Sequence, residues 1–376
     1  MTYERAVGEE APDLDVLLDR IARRFSRAEP RQRARTFVRG ILSGLRRPNG
    51  WTLARYAGDS DPNGMQRLLN AARWDVEGVR DDLRTWVVEH LAEPRAVLVM
   101  HEAAFPKKGD RSVGVYRRYG DRTGRAENVQ VGVFLGYSTR RGSALVDREL
   151  YLPTSWTQDR QRCRLAGIPD DVAHLSRPEL GRRMVRRALD GGAAAAWVAT
   201  DEPYGDNEAL RALLEQRGVG YALAMSAGDR IAIAGSATEV REFARSLRPA
   251  AYRHSGTSRA YEWAAVATAG SDTGREWRRC LLIRRSTAQP DQLRFYGCRA
   301  PAGTAVAELI RVASAPSAVQ ARVGATGRVL GLDQYQVRRY DAWHRYVTLC
   351  LVAGAQLAAE AAGSTGSLRP AKASGA

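Results

Sequence analysis

Two short apolar runs constrain the fold more than anything else in this chain. Ala96-Val97-Leu98-Val99-Met100 and Ala193 to Thr200 are continuous stretches without polar alternation. That pattern belongs to strands covered on both faces, as in parallel α/β sheets. Between and after them, Ser112 to Tyr119, Val129 to Tyr137 and Tyr221 to Met225 read as strands. Glu179 to Leu189, with Pro178 as a start signal, and Asn207 to Arg217 read as helices. Three strands followed by helix–strand–helix–strand predict an α/β domain with a mixed sheet.

The flanking segments differ in texture. Residues 1–93 carry apolar residues at helical spacing, among them Leu14, Leu17, Leu18, Ile21 and Phe25, and predict a helical N-terminal domain. The α/β core takes residues 94–225. Residues 226–302 are rich in Gly, Ser and Thr with short alternating runs, and predict a β-rich insertion. Helices resume over 303–362, and residues 363–376 read as a disordered Gly/Ser/Ala/Pro tail. Trp51, Trp74, Trp86, Trp263 and Trp277 are expected to be packing aromatics.

Charge and composition then narrow the function. Lys and Arg number 58 against 42 Asp and Glu, a formal net charge of +16, and all but three of the basic residues are Arg. An excess of this size points to a polyanionic partner, nucleic acid first. The four cysteines form no CxxC pair, which excludes a zinc ribbon and fits a reducing, cytoplasmic setting. None of the three lysines follows a Gly-x4-Gly run, so a P-loop is excluded. No G-x-S-x-G is present. The first residues lack the layout of a signal peptide. Val347 to Ala362, the most apolar late stretch, contains Gln356 and Glu360 and is expected to be too short to span a membrane.

In an open α/β sheet, ligands bind beyond the carboxyl ends of the strands. The two buried runs end in His101-Glu102 and Asp201-Glu202, with Tyr204 close behind. Successive residues of a strand face opposite ways, so at most one of each pair faces any one site.

Longer motifs carry a resemblance. They are Phe105-Pro106-Lys107-Lys108-Gly109, Ser112-Val113-Gly114-Val115, Glu127 to Val133, and Leu150-Tyr151-Leu152-Pro153 with Trp156. Trp197-Val198 through Asp201-Glu202 and Tyr204-Gly205 follow. Gly331-Leu332-Asp333-Gln334-Tyr335-Gln336-Val337-Arg338-Arg339 then runs into Trp343-His344-Arg345. Over roughly residues 15–360 the chain resembles bacterial insertion-sequence transposases of the DDE, RNase H-like class. The resemblance implies an RNase H-like core, a DNA partner and pairing of two copies as a homodimer. It also implies a site in which two Mg²⁺ ions ~4 Å apart clamp a phosphodiester between carboxylates.

Set against that pattern, the chain departs at two of three acidic positions. The first Asp falls on His101, the second is retained as Asp201, and the Glu falls on Gln320. Three carboxylates would set −3 against the +4 of two cations, whereas His101, Asp201 and Gln320 set −1. A two-Mg²⁺ site is therefore not expected, although a single divalent metal on Asp201 is compatible with these residues. Two function classes follow, with residual transposase activity as a minor third. One is a catalytically inactive DNA-binding protein, with phosphate contacts from Arg31, Arg33, Arg35, Arg39, Arg46, Arg47, Lys107, Lys108, Arg338, Arg339 and Arg345. The other is a repurposed enzyme acting on a small molecule in the cleft around His101, Glu102, Asp201, Glu202, Tyr204 and Gln320, where a His beside a carboxylate serves acid–base chemistry.

Overall fold

The computed structural model describes residues 13–45, 47–119, 124–201, 204–233, 236–255, 258–268 and 276–366. Five helices open the chain: α1 (Leu14–Ala22), α2 (Ala28–Leu42), α3 (Gly50–Tyr56), α4 (Asn63–Asn70) and α5 (Val76–Leu91). Their starts are written into the sequence. The Asn49 side chain accepts from the Trp51 and Thr52 amides, and Thr52 Oγ1 accepts from the Asn49 amide, a reciprocal cap on α3. Asp75 caps α5 through the Gly78 amide.

The core follows as β1 (Val97–Pro106), β2 (Tyr116–Tyr119), β3 (Ala126–Ser138) and β4 (Ser143–Leu150). Next come α6 (Thr154–Thr157), α7 (Arg160–Leu165), α8 (Arg177–Asp190), β5 (Trp197–Thr200), α9 (Glu208–Gln216) and β6 (Gly220–Met225). Ser176 and Glu179 form the reciprocal cap of α8, with Pro178 in its first turn. β3 is antiparallel to both β1 and β4, while β5 lies parallel to β1 and β6 parallel to β5. The order β4-β3-β1-β5-β6, three antiparallel strands followed by two parallel ones, is a mixed RNase H-like sheet.

Beyond β6, a small hairpin of β7 (Arg230–Ile233) and β8 (Ser236–Glu239) leads to α10 (Val240–Ser246). Then come β9 (Arg253–Ser255), β10 (Ser258–Ala267), β11 (Trp277–Ser286) and β12 (Leu293–Pro301). These last four strands extend the core sheet without a break. β12 pairs antiparallel with β6, from Phe295 opposite Met225 to Arg299 opposite Tyr221. The backbone edge that β6 would expose is thereby covered. The chain ends in two long helices, α11 (Val306–Leu330) and α12 (Tyr340–Gly366).

The two faces of the sheet have separate cores. Leu98, Met100 and Val198 pack with Met184 and Val185 of α8, in a cluster that also takes in α12 and the N-terminal helices. Val97, Val99, Trp197 and Ala199 pack with Leu309, Val312, Ala313 and Val319 of α11. Period-two alternation along β1 and β5 generates this division. At 27 residues, α12 is longer than the sequence suggested, and by length and composition it meets the requirement for crossing a bilayer. Its apolar window is 72% buried, against α5, β4, α2 and α4, so packing inside the protein accounts for its composition. Trp74, Trp86 and Trp263 are buried, as packing aromatics should be. Trp51 is not, being 61% exposed.

Candidate active site where two parallel strands part

β1 and β5 pair in register from Val97 opposite Trp197 to Met100 opposite Thr200. His101 and Asp201 are the next residues on each strand, side by side on the face covered by α11. His101 is buried, with 8% of its surface exposed. Burial lowers its pKa, while the charges of Asp201 and Glu102 pull the other way. The Oδ1 atom of Asp201 is buried and has no hydrogen-bond partner among the described residues. A buried carboxylate oxygen without a donor is uncommon in folded proteins and marks a position where a proton donor or cation fits.

Glu102 points the other way. On the α8 face it accepts from the Tyr204 hydroxyl and pairs with the Arg177 guanidinium at the start of α8. The ring of Tyr204 would lie 3.3 Å from a Cβ placed on Gly181 of α8, so both partners of Glu102 belong to that layer. The structure therefore separates the sequence candidates: His101 with Asp201 on one face, Glu102 with Tyr204 on the other. Glu202 lies outside the described residues.

Gln320 sits on α11, exposed, next to fully buried Val319. α11 runs alongside β1 in the same direction. Glu308 near its start is paired with Arg95, just before β1, and Val319 lies 3.2 Å from a Cβ placed on Gly136. Gly136 is opposite Val99, two residues before His101. At ~3.3 Å per strand residue and ~1.5 Å per helical residue, Gln320 falls about one helical turn short of His101. The precise alignment of the third position matters little, because from Leu309 to Leu332 the chain contains no Asp or Glu. Glu308, the acidic residue of α11, is bound by Arg95 and Arg311 near the start of β1. Among the described residues, no three His, Cys, Asp or Glu side chains converge on a point that would hold a metal ion.

The basic candidates separate as well. Arg33 pairs with Asp59, Arg35 with Asp15 and Asp19, and Arg39 with Asp15, so these three neutralise carboxylates of the N-terminal helices and adjoining loops. Arg345 donates to the Leu69 carbonyl at 2.8 Å and pairs with Asp341 at 3.2 Å, tying α12 to α4. Arg339 contacts Asp341 at 3.4 Å. Lys107 lies over the Tyr335 ring at 3.5 Å, and burial lowers its pKa to about 8 against the pull of Asp333. Arg31, Arg47, Lys108 and Arg338 are exposed. Arg46 lies outside the described residues. Arg177, which holds Glu102, was not legible as a site residue: it is 75 residues away in sequence, and no local pattern announces the pair.

The sequence model of the DDE superfamily endonuclease family matches residues 20–289, more than half of the chain. The chain belongs to this family. The match covers β1 and β5, and with them His101 and Asp201, and ends before α11. The chain is also 22% identical over 200 residues to a protein of Microchaete diplosiphon described as a probable transposase for insertion sequence element IS701. That similarity takes in 52% of this chain and 48% of the relative, so the chain spans about half the relative's length.

Proposed function

We propose that this DDE-family chain binds DNA through its basic surface and does not carry out two-metal strand cleavage. One observation carries the reading. His101, midway along β1, and Asp201, just past the end of β5, lie side by side under α11, and α11 offers no carboxylate beyond Glu308. These residues do not fit a pair of Mg²⁺ ions, which are held through oxygen ligands, chiefly carboxylates. Glu102 does not make up the deficit, because Arg177 and Tyr204 occupy it on the opposite face. The net charge of +16 and exposed Arg31, Arg47, Lys108 and Arg338 support the DNA-binding half of the proposal.

A gel-shift titration of a duplex over roughly 50–300 mM salt tests it. Phosphate contacts make affinity fall steeply as salt rises. An affinity that does not change with salt, or no binding at the low-salt end, overturns the proposal.

A further inference from the structure

Between α3, α4 and the 331–339 loop lies a cavity of about 320 Å³. Its lining combines apolar side chains such as Phe37, Leu53 and Met65 with aromatic, amide and cationic groups. Trp51 lines it with a 61%-exposed indole, at a helix start fixed by the Asn49 cap. Gln66, Asn70, Gln334 and Gln336 supply uncharged amides, and the Gln334 Oε1 is buried without a partner among the described residues. Arg338 adds an exposed guanidinium on a backbone anchored by the Val113 amide, which donates to the Arg338 carbonyl at 3.0 Å. Deeper in, Tyr335 and Tyr346 are buried with ring centroids 5.6 Å apart. Among the described residues, no carboxylate lines the cavity.

We propose that this cavity takes one unstacked base of a bound DNA strand. Trp51 would stack on the base, the amides would bond its edge, and Arg338 would contact the adjoining phosphate. This rests on the DNA-binding reading above and deepens it. Exposed aromatic faces stack on bases of any sequence. Side-chain amides pair with base edges because each offers both a donor and an acceptor. A cavity near ~300 Å³ is at the small end of ligand sites, suited to a single base rather than to a groove of duplex. An uncharged amide wall with Arg338 beside it matches a neutral base joined to an anionic backbone.

The test is fluorescence anisotropy of the full chain with two labelled DNAs, a perfect duplex and the same duplex carrying one extrahelical adenine. Wild type is expected to bind the bulged DNA ~5- to 100-fold tighter, the range that one stacked base supplies. Trp51→Ala should bring the bulged DNA down to the affinity of the perfect duplex, and Trp51→Phe should keep part of the preference. Exposed Gln336→Ala should reduce the preference in a second variant. Equal binding of both DNAs by wild type, or a preference that survives Trp51→Ala, overturns this inference and leaves the DNA-binding reading standing. Failure to bind either DNA removes both. Displacement of the bulged DNA by micromolar 5′-dAMP would make this a free-nucleotide site and overturn the assignment to a strand.

Discussion

Replacing His101 by Asp tests the face assignment directly. His101, midway along β1, and Asp201, just past β5, are neighbours where the parallel pairing of the two strands stops, so their side chains start ~5 Å apart. Two carboxylates at ~5 Å with an effective dielectric near 20 repel by about 3 kcal/mol. His101 is buried, which adds a desolvation cost for the new charge. In EDTA, His101→Asp should therefore melt lower than wild type. At roughly 2 °C per kcal/mol for a chain above 150–250 residues, the drop is about 6 °C. Mg²⁺ or Mn²⁺ should reverse it, since ligand at 100 times its dissociation constant returns about 2.7 kcal/mol. Wild type should move by less than ~1 °C on adding metal, and the double variant His101→Asp, Asp201→Asn should lose the metal response. The assay is differential scanning fluorimetry with and without 10 mM metal. A His101→Asp protein that melts with wild type in EDTA and ignores metal would show that the two side chains do not share a site.

Three further predictions concern the scaffold. Asp147 on β4 is fully buried and accepts two bonds from Arg187 at 2.9 Å, with Arg80 and Arg148 within 4 Å; each arginine keeps another carboxylate, so Asp147→Ala loses buried hydrogen bonds and should cost about 1–3 kcal/mol in urea unfolding. His344 is buried with its Nδ1 on the Tyr340 carbonyl, and burial lowers its pKa to about 4. Between that value and the unfolded ~6.5, the unfolded chain holds a proton that the folded chain does not. Stability is therefore complete above pH 6.5 and falls by about 3 kcal/mol toward pH 4, and His344→Gln should flatten this stretch of a stability–pH curve. Gly331 has φ +67°, and a Cβ there would lie 2.5 Å from Pro48 Cγ, so Gly331→Ala should cost at least ~1–2 kcal/mol by the same unfolding measurement.

β1 and β5 were legible because burial on both faces leaves a continuous apolar run, although β5 takes only Trp197–Thr200 of the 193–200 run and β4 (Ser143–Leu150) was not read as a strand. The placement of His101 beside Asp201 was legible because both follow directly on the two apolar runs, whereas no surrounding motif fixes Gln320, which sits exposed on α11 about one helical turn short of His101. Contacts distant in sequence were not. Arg33, Arg35 and Arg39 look like a free basic face on α2, yet each meets an Asp brought to it by another part of the chain. Alternation indicated that His101 and Glu102 diverge, but which of them joins Asp201 depends on the register of β1 against β5. Trp51 was expected to pack like Trp74 and Trp86. Its exposure follows from the short α3 standing at the edge of the N-terminal helices beside a cavity. The alternating runs of the 226–302 segment suggested strands, but nothing local specified that β12 would pair with β6 and continue the core sheet.

The central claim is that this scaffold lacks the acidic residues for two-metal cleavage. The direct measurement is nicking of supercoiled plasmid in Mg²⁺ or Mn²⁺ by wild type and by Asp201→Asn. The account predicts that both stay at the EDTA background. Wild-type nicking that disappears in Asp201→Asn would contradict it.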